Sequence, residues 1–123
     1  MELPLTGQRV SVAASEYMVE ITTVGGFALQ IEGDMEIESS RGDRQSVVLA
    51  DGGSSQVDLE PVLHGTITSA VVNSSGTLTI DFDSGNRLVV PPDSEYEAWT
   101  LVGPNGYRVV CMPNGELATW TAD

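Results

Sequence analysis

Apolar and polar residues alternate with a period of two through most of the chain, and no stretch of ten or more residues carries helical spacing. The pattern predicts a mostly β fold. Candidate strands fall at about 8–14, 17–24, 27–32, 34–39, 45–50, 66–72, 77–83, 86–90, 97–102, 107–112 and 116–121. Glycine or asparagine interrupts nearly every gap. The clearest turns are Gly25-Gly26, Ser74-Ser75-Gly76, Asp83-Ser84-Gly85-Asn86, Gly103-Pro104-Asn105-Gly106 and Pro113-Asn114-Gly115, which supply the positive φ angles of hairpins and imply antiparallel meanders. One short helix is expected, from Asp58 as N-cap through Leu59, Glu60, Pro61 and Val62 to His64, with Gly65 as its stop. The segment 40–55, with Arg41-Gly42-Asp43-Arg44 and Asp51-Gly52-Gly53-Ser54-Ser55, reads as a mobile loop.

Sliding the first third of the chain onto the region after Gly65 exposes an internal similarity. At an offset of 57, Val10 and Ala13 fall on Ile67 and Ala70; after a two-residue slip, an offset of 59 places Val19, Ile21, Gly26, Leu29 and Ile31 on Leu78, Ile80, Gly85, Leu88 and Val90. The units, about 8–32 and 65–90, each read as a three-stranded meander, followed by a C-terminal hairpin at about 95–121. Stacking the two buried faces gives an antiparallel two-layer sandwich or a flattened barrel within a single domain spanning 1–123. Val19, Ile21, Phe27, Leu29, Ile31, Leu78, Ile80, Phe82, Leu88 and Val90 then point inward. Glu20, Gln30, Glu32, Glu36, Glu38, Asp81, Asp83 and Arg87 point outward, and the outer surface becomes acidic.

The 123 residues carry a formal net charge of −13, with five arginines, no lysine and eighteen carboxylates. Such a chain repels nucleic acid and anionic membranes, whose non-specific binding depends on cations that displace counterions. Basic proteins are the natural partners of this surface; the other reading is that the charge only maintains solubility. A single cysteine, Cys111, excludes an intramolecular disulfide. The N-terminus shows no signal-peptide pattern, and no apolar run approaches the roughly 20 residues of a membrane helix, so a cytoplasmic location is expected.

Little in the chain points to catalysis. His64 is the sole histidine, so an ordinary transition-metal site cannot be assembled, and no Gly-x-Ser-x-Gly elbow supports a hydrolytic triad. Cys111 sits in a strand pattern as a small packed side chain. Asp81 and Asp83 resemble the opening of a calcium loop, but no bidentate glutamate follows at the twelfth position. Pairs at Asp81 and Asp83 or Glu95 and Glu97 match the carboxylate requirement of a glycosidase, with an acidic outer strand as the simpler account. Arg41-Gly42-Asp43 and the acceptor pattern Asn73-Ser74-Ser75 are short enough to arise by chance.

The most distinctive stretch is Pro91-Pro92-Asp93-Ser94-Glu95-Tyr96-Glu97-Ala98-Trp99, with Pro113-Asn114-Gly115-Glu116-Leu117-Ala118-Thr119-Trp120 at the end. Tyr96, Trp99, Tyr107 and Trp120 concentrate here and either close one end of the core or form an exposed anchor patch. These segments, with Leu3-Pro4-Leu5-Thr6-Gly7-Gln8-Arg9-Val10 at the start and Gly76-Thr77-Leu78 before Asp83-Ser84-Gly85, resemble a family of small, largely actinobacterial proteins, domain of unknown function 6188. The resemblance spans nearly the whole chain and departs at Asn114-Gly115, where the family more often has two glycines; asparagine tolerates the left-handed conformation that such a turn needs. It implies no reaction, cofactor or catalytic residue.

The expectation is therefore a non-catalytic, cytosolic protein-binding module without a cofactor, in its concrete form an immunity-type protein that neutralises a basic partner. Glu20, Glu32, Asp81, Asp83, Glu95 and Glu97 would steer that partner, and Tyr96 or Trp99 would anchor it. The alternative is a structural or self-associating β domain, a homodimer formed through exposed strand edges.

Overall fold

A computed structural model of the protein describes residues 1–15, 18–47 and 63–120. Alternation and turn glycines yield eleven strands among these residues: β1 (Val10–Ala14), β2 (Val19–Thr23), β3 (Ala28–Ile31), β4 (Met35–Glu38), β5 (Arg44–Val47), β6 (Ile67–Val72), β7 (Leu78–Phe82), β8 (Arg87–Val90), β9 (Trp99–Val102), β10 (Arg108–Cys111) and β11 (Leu117–Trp120). They form two antiparallel sheets, a six-stranded one in the order β1-β2-β3-β9-β10-β11 and a five-stranded one in the order β5-β4-β8-β7-β6. The sheets do not close into a barrel. Asn105 and Asn114 adopt φ of 60° and 67° in the two Pro-Asn-Gly turns, which form single 3-10 turns. The expected helix at 58–64 lies almost wholly outside the described residues. No helix among the described residues is long and apolar enough to cross a membrane.

One hydrophobic cluster draws on both sheets. All the expected inward positions contribute fully buried side chains except Phe27, which is half-buried and packs edge-on against Tyr107 at 5.6 Å. In the segment expected as a mobile loop, Ser39–Asp43 closes a tight turn, with Gly42 N donating to Ser39 O at 2.9 Å, and β5 follows, while residues 48–55 lie outside the described residues.

The meanders β1-β2-β3 and β6-β7-β8 occupy different sheets. Offset by 59 residues, the pairs Val19–Ile31 and Ile21–Leu29 correspond to Leu78–Val90 and Ile80–Leu88, in the same register. The offset of 57 holds at Val10 and Ile67, which sit opposite Thr23 and Phe82, and fails in register beyond them. Ala13 sits opposite Glu20 on the solvent face, whereas Ala70 sits opposite Ile80 in the core, because a bulge between Ile67 and Ser69 shifts β6. The tail adds a third meander, β9-β10-β11, joined to β3.

The edge of β6 is covered by the N-terminal segment, a feature the alternation does not announce. Leu3 N donates to Ala70 O at 2.9 Å and Gly7 N to Ile67 O at 2.7 Å, while Leu3 and Leu5 are buried. This segment blunts a pairing edge before the chain enters β1 in the opposite sheet.

Candidate functional site

Two connections pass from sheet to sheet at one corner. Between β3 and β4 the chain uses three residues, Glu32, Gly33 and Asp34, whereas between β8 and β9 it uses residues 91–98. The surplus has to project. Pro91 and Pro92 lack N–H donors and cannot continue a ladder, so the excursion begins there. Its base is closed by Glu32 N and Gly33 N, which both donate to Ala98 O, at 3.0 and 3.1 Å. Asn114 N donates to Asp93 O at 2.7 Å, and Asp93 Oδ1 accepts from Glu95 N at 2.8 Å. The excursion is thus tethered, with Glu95, Tyr96 and Glu97 exposed.

Acidic groups surround the Tyr96 ring. The Tyr96 phenol is held above its ordinary pKa, chiefly by the charge of Asp93, then by desolvation of the ring, then by Asp34 and Glu95. Asp34 therefore belongs to the same field although it arrives on the other connection. Among the described residues ion pairing does not relieve this field: Arg87 Nε lies 2.6 Å from Asp81 Oδ1, and Arg44 Nε lies 3.6 Å from Glu36 Oε1. Replacing Asp93 with asparagine keeps the acceptor for Glu95 N and removes the largest charge. We expect the Tyr96 ionisation midpoint to fall toward the ordinary tyrosine value, measured as phenolate absorbance against Tyr96→Phe; an unchanged midpoint would remove Asp93 from the field.

Asp34 also lines a surface pocket of about 410 Å³ together with Met35, Glu36, Ser46, Val47, Val89 and Pro91. The register explains the composition, since Met35 stands opposite Val47 and Glu36 between Ser46 and Val89. A mostly apolar lining that includes two acidic residues suits a cation on an aliphatic stem, as in lysine or arginine side chains. Glu36 is only loosely compensated, because its 3.6 Å pair with Arg44 is solvent-exposed on both sides. Asp34 has no cationic partner among the described residues.

The residues singled out from the sequence separate in space. Glu32, Glu95, Tyr96 and Glu97 belong to the corner. Glu20 lies on the outer face of the six-stranded sheet, where its carboxylate accepts from Gln30 Nε2 at 3.2 Å. Asp81 is paired with Arg87, and Asp83 Oδ1 accepts from Thr66 N at 3.1 Å, both toward the end of β7 that lies away from Pro91. Those two carboxylates serve the local fold. Trp99 is a correction: at 1% exposure it is a core residue, with Nε1 donating to Gly76 O at 3.2 Å, and no partner can touch it. The aromatic tail divides, because Trp120 is 54% exposed and stacks under the Arg108 guanidinium at 5.8 Å.

Asp34 and Asp93 were missed by sequence reasoning. Asp93 follows two prolines and Asp34 follows Gly33, both connection signals, yet nothing in a linear pattern brings residues of two connections together. Asn73 Oδ1 accepts from Ser75 N and Thr77 N, so the acceptor pattern there builds a turn. His64 is exposed. Among the described residues no group of three or more His, Cys, Asp or Glu side chains is placed to hold a metal ion.

A model of a family of unknown function, DUF6188, matches residues 1–121. Comparison with curated proteins and with solved structures finds no match.

Proposed function

This chain belongs to the DUF6188 family, and for it we propose a non-catalytic role in binding a basic protein through the corner built from residues 32–36 and 91–97. One observation carries the reading: Asp34, Asp93 and Glu95 set a negative field around the half-exposed Tyr96, beside a mostly apolar pocket whose lining includes Asp34 and Glu36. A lysine or arginine of the partner would enter the pocket, and the Tyr96 ring would pack beside it, an aromatic anchor inside a charged rim. The net charge of −13 would accelerate encounter from a distance. In the immunity-type version the partner is a toxin whose basic surface is occupied, and the encounter takes place in the cytoplasm.

The test is capture from native-source lysate at low salt, with elution by a salt gradient. We expect a basic protein that is retained by the wild type and by Glu38→Gln, and lost on the triple variant Asp34→Asn, Asp93→Asn, Glu95→Gln. Its association rate should fall at least about tenfold between low and high salt. Equal retention by the triple variant, or a rate indifferent to salt, would overturn the reading.

A further inference from the structure

The outer face of the six-stranded sheet differs from the rest of this anionic surface. Across the six strands its outward positions form two rows, Ala13, Glu20, Gln30, Thr100, Val110 and Ala118 in one and Ser11, Thr22, Ala28, Val102, Arg108 and Trp120 in the next. Only Glu20 and Arg108 carry charge, so the face is neutral within a chain of net charge −13. By contrast, the outer face of the five-stranded sheet places Arg44, Glu38, Arg87 and Asp81 side by side across four strands.

The positions of those two charges matter. Glu20 is on β2 and Arg108 on β10, each the second strand in from its edge, on either side of the β3–β9 midline. Their backbones are about 14 Å apart across three strand spacings and about 7 Å apart along the strands. A two-fold axis lying in the plane of the face, inclined about 25° to the strand direction so as to bisect that offset and passing between β3 and β9, lays Glu20 of one copy over Arg108 of the next, twice. An isologous interface requires this self-complementarity. Both side chains are already held, Glu20 by Gln30 and Arg108 against the Trp120 ring, and Val110 is buried on this face although it lies outside the inter-sheet core.

We propose that the outer face of the six-stranded sheet is a homodimer interface, in which a second copy of this chain packs face to face and Glu20 pairs with Arg108 across a two-fold axis. On the outer face of the five-stranded sheet two copies would meet a dense row of charges, Arg44, Glu38, Arg87 and Asp81; here they meet Ala, Thr and Val with one balanced pair. The face is about 24 Å wide, five spacings of about 4.8 Å between its six strands, which puts the contact among small interfaces, below about 1,200 Å² in total. The dimer is accordingly reversible. It uses the sheet face rather than a strand edge, and it leaves the pocket on β4, β5 and β8 free for a different partner.

Sedimentation equilibrium of the full chain across a wide concentration range reads this directly. The weight-average mass should rise from one chain toward two. Glu20→Arg and Arg108→Glu should each weaken association at least about tenfold, and the double variant that swaps both charges should restore it. Ala28→Glu, near the axis, should abolish association while leaving the circular dichroism spectrum and the melting midpoint of the dilute protein unchanged. A wild type that stays at one chain mass throughout would overturn the proposal. So would Ala28→Glu associating as the wild type does, or a double variant no better than the singles.

Discussion

Replacing Gly115 with alanine should cost more than about 4 kcal/mol, a loss of a size found only where packing or backbone geometry is violated. Gly115 is buried at φ +91°, in the turn between β10 and β11. A Cβ there would overlap Ser75 O and stand 2.9 Å from Ser75 C, both backbone atoms of the turn between β6 and β7. The neighbour cannot yield cheaply, because Gly76, at φ +90°, is pressed equally close from the other side: a Cβ on it would lie 2.5 Å from Gly115 O and 2.6 Å from Gly115 Cα. Two turns, one from each sheet, thus meet backbone to backbone. Gly106→Ala is the control, since its φ of +84° is similarly left-handed while nothing lies within 4 Å of a Cβ there. It should cost only the left-handed penalty, about 1–2 kcal/mol. Urea unfolding of both variants separates the two terms. Equal losses would mean that the turn-to-turn contact contributes nothing, and a domain of this size has only about 5–15 kcal/mol in total.

That contact shows where a linear reading runs out. The glycine after Asn114 and the glycine after Ser75 were both legible as turn residues, because positive φ is a local demand. Their mutual contact joins residues about forty apart and leaves no local signature. The same division holds throughout. Strand positions and the inward faces of β2, β3, β7 and β8 followed from alternation, since burial on one face of a sheet imposes a period of two. The slip at β6 did not, because a bulge changes register without changing composition. Trp99 follows a stretch of acidic residues, and the sequence leaves core closure and an exposed anchor both open for it. It is core because the excursion ends at Ala98, where the Glu32 and Gly33 donors re-pair the chain. At the corner, Glu95, Tyr96 and Glu97 were legible as candidate partner contacts; Asp34 and Asp93 became part of it only once two sheet-to-sheet connections were brought side by side.

Trp99→Ala should cost about 3–5 kcal/mol, the usual range for deleting a large buried aromatic. The indole is 1% exposed, and its Nε1–H donates to Gly76 O at 3.2 Å, the carbonyl that also accepts from Cys111 Sγ at 3.5 Å. Trp99 therefore fills the corner of the core and holds the Gly76 turn in place, so its loss loosens the contact with Gly115 as well. Trp99→Phe keeps most of the volume, and Cys111 still serves the carbonyl, so its cost should be nearer 1–2 kcal/mol. Cys111 offers a second readout. Burial raises its thiol pKa, so little thiolate forms in the native state and a thiol reagent should react slowly. Because the folded pKa is raised, folding is favoured fully below the ordinary thiol value, and this contribution is lost as pH rises through the folded one. The unfolding series is run near neutral pH, where both states keep the proton. In Trp99→Ala, Cys111 should be modified at least about tenfold faster than in the wild type, as expected for a loss of more than about 1.4 kcal/mol in local opening. Undiminished protection of Cys111 in that variant would show that the core corner stands without its indole.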